Sequence, residues 1–287
     1  MSQAYISPAD FVQWVTVEGI HTEGGNVRLT RYMSGNEKMG GSYTSQELRE
    51  QLKPLFKKLG DEPSWTNWHR IFTGQGDLRD FIALWDWMYR HMDELRKLKV
   101  QTYTVKKKPA GEGYDKIMGK KLDFAEVFKA GRAFSESMDE LISNGCFGWD
   151  CIGFVSQYLV TIGQIDQYQQ WRSDQYLTIG GFKPIKNLLD ITECCVLVFG
   201  DWHIVLVSEV QWKVKNARTG VLSAKVVVSQ SYTGGPKTRK DCILTQAVGE
   251  DGTWDLVNQT GVLDVGAKWT VGRHQDIQVM YQMPFAP

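Results

Sequence analysis

Two residues carry the chemistry most plainly. Cys151 sits in the run Phe147-Gly148-Trp149-Asp150-Cys151-Ile152-Gly153-Phe154-Val155-Ser156, and His203 opens the apolar run His203-Ile204-Val205-Leu206-Val207. A thiol at a glycine-flanked turn into a helix, followed downstream by a histidine on a strand, is the arrangement that yields a thiolate nucleophile and its base. Ile152, Val155 and Leu159 fall on one helical stripe, with Phe154, Tyr158 and Ile162 beside it. Cys151 then lies in the first turn, where unpaired N–H groups and the macrodipole favour an anion and raise the thiolate population. Gly148 and Gly153 would let a substrate carbonyl approach, and the Cys151 N–H can donate to a developing oxyanion. Trp149, Asp150, Gly153 and Trp202 are expected to line the substrate cleft.

His203 has four rivals. His21, His69 and His91 precede the cysteine in helical or loop texture, and His274 falls in a late loop, Gly272-Arg273-His274-Gln275. The order cysteine then histidine, with the histidine on the first long strand, favours His203. The remaining cysteines, 146, 194, 195 and 242, read as buried small hydrophobes. Their total with Cys151 is odd and two are adjacent, which argues against a disulfide framework. No C-x-x-C occurs and no histidine lies at finger spacing, so no metal site is expected.

The elements that must position these residues fall into two regions. Residues 44–141 have mainly helical periodicity. Thr44 and Glu47 suggest a capping box ahead of Leu48, Leu52, Leu55, Phe56 and Leu59, with Pro54 as a kink or a shifted start. A stronger helix is predicted over 77–98, its apolar residues Leu78, Phe81, Ile82, Trp85, Met88, Tyr89, Met92 and Leu95 forming one face. Lys106–Gly113 reads as a surface loop or linker, and a further helix is predicted over 122–142. Trp65, Trp68, Trp85 and Trp87 read as core, with glycan stacking as the alternative. Beyond the cysteine helix the texture is that of strands: Val196–Phe199, Ile204–Val214, Ala224–Ser231, Ile243–Val248, Trp254–Val257 and Ile277–Tyr281. Asn216–Gly220 reads as a hairpin connection. Helices first and antiparallel strands second imply an α+β fold. The expected organisation is a mainly helical N-terminal region, 1–120, and a cysteine hydrolase domain, 121–287.

With 33 basic and 33 acidic residues among 287 the chain is formally neutral, so no broad footprint for nucleic acid is expected. No stretch approaches the length of a membrane-spanning helix. The first eight residues lack the basic and apolar regions of a secretory signal, and the chain is expected to be made in the cytoplasm.

The two motifs resemble the NlpC/p60 family of papain-like cell-wall peptidases and, more distantly, the CHAP amidases. The family pattern Asp-Cys-Ser-Gly-Phe-Val stands here as Asp150-Cys151-Ile152-Gly153-Phe154-Val155, and His-Val-Gly-Ile-hydrophobic as His203-Ile204-Val205-Leu206-Val207. Ile152 and Val205 depart from the pattern, and Glu193-Cys194-Cys195-Val196 stands where the family carries Gly-Asp. The resemblance covers roughly residues 125–236. It implies a papain-like fold, with the nucleophile helix packed on an antiparallel sheet or barrel. It also implies a third polar residue on the next strand to orient the imidazole. That role is carried to Gln230, whose amide oxygen can accept the imidazole N–H; Ser229, one residue away in register, is the alternative.

What the resemblance implies chemically is amide hydrolysis by acyl transfer on peptidoglycan stem peptides, without metal or organic cofactor. The bond would be D-glutamyl–diaminopimelate or muramoyl–L-alanine. A wall substrate and no visible export signal together suggest an antibacterial effector. A specialised machine such as the type VI system would deliver it to the periplasm of a target bacterium, and an immunity protein would block its cleft. A phage-type endolysin, a non-hydrolytic binding module and another cysteine–histidine acyltransferase are the alternatives.

Overall fold

The computed structural model describes residues 6–14, 16–17, 27–29, 43–60, 65–108, 114–165, 171–178, 181–201, 203–232, 235–246, 253–258 and 268–274. In chain order the first elements are α1 (Pro8–Trp14), β1 (Thr16–Val17), β2 (Val27–Arg28), α2 (Tyr43–Leu59), α3 (Trp65–Ile71), α4 (Leu78–Arg90) and α5 (Met92–Leu95). The hairpin β3 (Lys99–Lys107) and β4 (Tyr114–Asp123) follows, then α6 (Phe124–Val127), α7 (Phe134–Ser143) and α8 (Cys151–Thr161). The remainder is β5 (Phe182–Pro184), β6 (Val196–Phe199), β7 (His203–Lys215), β8 (Leu222–Tyr232), β9 (Gly235–Gln246), β10 (Thr253–Asn258) and β11 (Lys268–His274). The chain is α+β. It divides into two compact units: the described residues of Trp14–Gly153 with Ser231–Pro236, and those of Met1–Gln13, Phe154–Gln230 and Lys237–Pro287. The division expected near residue 120 falls inside β4, which is paired along its length with β3.

In the first unit the helices close over an aromatic core. Asp77 starts α4 by accepting from the Arg79 N–H at 2.6 Å, while the Asp80 carboxylate accepts from the Asp77 N–H at 3.3 Å. This reciprocal cap satisfies two of the donors a helix start leaves open. The buried face of α4 is Phe81, Leu84, Trp85, Trp87 and Met88. Phe56 of α2 meets Trp68 at 4.2 Å and Trp87 at 4.3 Å between ring centroids. Trp68, Trp85 and Trp87 are buried, which places them in the core. The long helix predicted over 77–98 is broken at His91, where α4 ends and α5 begins.

Three sequence readings change here. Residues 99–107 and 114–123 pair as an antiparallel hairpin rather than continuing a helical run, while residues 109–113 of the expected loop or linker lie outside the described residues. Its β-branched and aromatic alternation, Val100-Gln101-Thr102-Tyr103-Thr104-Val105, is completed by α2: the Tyr103 N–H donates to Thr44 Oγ1 at 2.8 Å, and Gln51 Nε2 to the Lys99 carbonyl at 2.9 Å. Thr44 therefore serves β3 rather than a capping box. Pro54 lies inside α2, which continues through it. The helix predicted over 122–142 is two helices, because β4 runs to Asp123, whose carboxylate caps α6 through the Ala125 N–H at 3.0 Å.

In the second unit the strands follow the order β10-β9-β8-β7-β6-β11-β5, with β10–β9, β8–β7, β7–β6, β6–β11 and β11–β5 antiparallel, and β10 also pairs antiparallel with β11. That extra pairing closes β6–β11 into a six-stranded ring with β5 added outside β11, and closure removes the strand edges. The interior carries Leu197, Val205, Val207, Val226, Val228, Leu244, Trp269 and Val271. The Asn216–Gly220 connection is the predicted hairpin. Asn216 Oδ1 accepts from the Arg218 and Thr219 N–H groups, and Gly220 takes the positive φ of 73° that closes the turn. β11 occupies what read as a late loop; its inward Trp269 and Val271 pack the ring. The strand predicted at Ile277–Tyr281 lies outside the described residues. Helix α8 also differs from the one-sided pattern expected, for Cys151–Leu159 are all buried. Phe154 and Tyr158 each meet Phe11 of α1 at 5.4 Å.

Candidate functional site

Cys151 is the first residue of α8 and is 4% exposed. The residue before it builds the helix start. Asp150 Oδ1 accepts from the Gly153 N–H at 2.6 Å and Oδ2 accepts from Gln75 Nε2 at 2.8 Å, with the Ile152 N–H a further donor. The Asp150 N–H in turn donates to the Gly74 carbonyl at 2.8 Å. First-turn N–H groups that looked available to a thiolate are thus engaged by the Asp150 carboxyl. Burial nevertheless pushes that carboxyl up to about 7, against the opposing effect of the Gly153, Gln75 and Ile152 donors.

The neighbouring residues are held as tightly. Trp149 donates its indole N–H to the Gly76 carbonyl at 2.9 Å, and its own carbonyl accepts from Ser231 Oγ at 2.7 Å. Trp149 is fully buried and packs on Phe81, so its side chain is core rather than cleft lining. Gly153 is required for close approach: a Cβ there would stand 2.1 Å from the Gly74 carbonyl oxygen. Trp202 lies outside the described residues.

Other thiols fit the role less well. Burial pushes the Cys195 thiol up, and Cys242 is pushed up to about 12 by burial, so both stay protonated at neutral pH. Cys146 is buried, and Cys194 Sγ lies 3.2 Å from the Tyr158 hydroxyl.

His203 belongs to the second unit, at the start of β7 opposite Phe199. Its Nε2 lies 2.9 Å from Gln230 Oε1 on β8. An amide oxygen only accepts, so Nε2 carries the proton and the lone pair resides on Nδ1. Gln230 is fully buried and its Nε2 has no hydrogen-bond partner among the described residues. Ser229 pairs with Leu206 in the β7–β8 register. Strand alternation therefore puts its side chain on the opposite face. There its hydroxyl lies 2.6 Å from Ser208 Oγ and 3.2 Å from Thr238 Oγ1. Of the two residues considered for the third role, the structure brings Gln230 to the imidazole. His203 is 2% exposed, shares the inner face with Val205 and Val207, and meets Trp269 edge-on at 5.8 Å.

The rival histidines have packing or surface partners. His274 ends β11 rather than lying in a loop, and packs on Phe182 at 5.1 Å. A Cβ at Gly181 would come within 2.6 Å of His274 Nε2. His69 Nε2 lies 3.0 Å from Arg49 Nη1, and burial followed by Arg49 lowers its pKa. His91 meets Trp87 with its ring tilted at 4.8 Å between centroids; His21 lies outside the described residues.

Gln75, Gly74, Gly76 and Ser231 were not singled out from sequence. The Gly74-Gln75-Gly76 triplet was the only signal for the first three, and nothing local links it to residues 149–153. Among the described residues no group of three His, Cys, Asp or Glu side chains could hold a metal, and no helix is long and apolar enough to cross a membrane. Compared with known proteins, the chain matches no family model, no curated protein and no solved structure.

Proposed function

We propose that this protein is a cysteine hydrolase of papain-like, NlpC/p60-like type that cleaves amide bonds in peptidoglycan stem peptides. The observation that carries the reading is the His203–Gln230 hydrogen bond, because it fixes the tautomer a general base needs. His203 Nδ1 takes the Cys151 thiol proton, and the thiolate attacks the scissile carbonyl. His203 then gives that proton to the leaving amine, and water resolves the thioester. The raised pKa values of Cys195 and Cys242 argue against those thiols and so support Cys151 as the nucleophile. Since the wall lies outside the cytoplasm, the proposal includes delivery by a specialised secretion machine and a cognate immunity protein.

Incubation with purified muropeptides, read by mass spectrometry, tests this. Cleavage that requires Cys151 and His203 but not Cys146 is expected. Cleavage surviving Cys151→Ala would remove the mechanism.

A second reading has one observation in its favour. His203 lies on the barrel's inner face against Trp269 and is nearly sealed from solvent, as a structural polar pair would be. The domain would then bind wall fragments without hydrolysing them. Retained muropeptides with no products, in wild type as in Cys151→Ala, would select that reading.

A further inference from the structure

β4 is the most exposed regular element described. Every residue from Asp115 to Lys121 is exposed, on both faces, with Ile117 at 44% and Met118 at 72%. Among the described residues β4 pairs with β3 alone, so its outer edge is an unextended ladder of the kind that accepts another strand. Charge is concentrated here as well. Residues 99–123 hold seven lysines against three acids in a chain that is neutral overall. Lys99, Lys108 and Lys120 reach carboxylates at 2.9, 3.5 and 4.0 Å, whereas Lys116 and Lys121 form no ion pair among the described residues. Lys116 is instead held over the Tyr103 and Tyr43 rings at 3.9 and 4.5 Å, which fixes its position on the hairpin.

We infer that the outer edge of β4 is a docking site for an extended acidic segment of a partner protein, added as a third strand to the β3–β4 hairpin. The backbone edge supplies the ladder, Ile117 and Met118 supply apolar contact on opposite faces, and Lys116 and Lys121 select glutamate or aspartate opposite them. Antiparallel self-pairing centred on Met118 would set Lys116 against Lys120 as well as Lys121 against Asp115, so a second copy matches the charge of this edge less well than an acidic strand, which meets every one of these lysines with a carboxylate. The same lysines blunt nonspecific edge pairing, so the selection works in both directions.

The test uses the full chain and a fluorescent peptide of alternating glutamate and valine. Saturable binding by anisotropy is expected, together with slowed amide hydrogen exchange at residues 115–121. The double substitution Lys116→Glu/Lys121→Glu is expected to weaken binding about tenfold or more, while Met118→Ser, which leaves the charges intact, weakens it less. Both sites are exposed, and an unchanged circular dichroism spectrum checks that the fold persists. No saturable binding, binding without protection of β4, or equal binding of an alternating lysine–valine peptide would each overturn the inference. Preferential binding of anionic lipid vesicles through the same lysines would overturn it too.

Discussion

Asp150 and Gln230 are both buried polar side chains beside a residue proposed for catalysis, yet their surroundings differ in kind. Asp150 is well satisfied: two first-turn N–H groups and the Gln75 amide converge on it. Among the described residues the Gln230 side chain bonds to His203, and its own amide nitrogen lies buried without an acceptor. An unmet buried donor costs roughly 1–3 kcal/mol, so Gln230 contributes less to stability than a fully satisfied amide would. The aspartate, by contrast, is fully accounted for as the cap that starts α8. The contrast teaches that the Asp-Cys pair is first a structural device, whereas the histidine's partner is the less satisfied of the two buried side chains.

The largest expected effect breaks the comparison at its chemical end. Cys151→Ala and His203→Ala are each expected to lower muropeptide cleavage on the order of 10⁴-fold, with Cys146→Ala unchanged, measured by initial rates of product formation. Asp150 gives the next effect, on stability. The native state holds its proton up to about pH 7, whereas an unfolded chain releases it near the ordinary value of 3.8. Its contribution is therefore fully present below the unfolded value and is lost as pH rises toward 7, by up to about 4 kcal/mol. In Asp150→Asn, where the cap oxygen survives, denaturant midpoints should lose that decline between these limits. A decline that persists in the variant would show that another group causes it.

Gly153→Ala sharpens the structural half of the contrast. Its Cβ would meet backbone, the Gly74 carbonyl oxygen, so relief requires moving a chain segment. A loss of about 3 kcal/mol in denaturant unfolding is expected; a loss within the scatter of surface substitutions would mean that the 74–76 segment yields easily. Gln230→Leu is a smaller change. With the imidazole no longer oriented, kcat is expected to fall about tenfold, as one hydrogen bond warrants, with KM little altered. Ser229→Ala, whose hydroxyl faces Ser208 and Thr238, should leave kcat unchanged. A reversed ranking of these two would transfer the orienting role to Ser229.

How much of this was legible beforehand depended on the range of the interactions. Val196–Phe199 and the Asn216–Gly220 hairpin were readable because alternation and turn chemistry are local. The step from His203 to Gln230 came from the family resemblance and left Ser229 open, because the hairpin register was uncertain by one residue; the fold puts Gln230 Oε1 2.9 Å from His203 Nε2. The β3–β4 hairpin was not readable, since α2 supplies the groups that hold β3, through Thr44 and Gln51. The late strand β11 was missed because Gly272 and Arg273 read as loop, although Gly272 is there for close packing. A Cβ on it would stand 2.4 Å from Leu177. The hub around Asp150 was invisible for the same reason: Gln75 is 75 residues away in sequence.

The central claim is that the Cys151 thiol is activated by His203. Its most direct measurement is the pH dependence of Cys151 carboxymethylation, followed by peptide mapping in wild type and in His203→Gln. The account predicts a wild-type reactive plateau extending well below the ordinary thiol range of roughly pH 8.5, and its disappearance in His203→Gln. The same single titration in both proteins, at the ordinary thiol value, would contradict it.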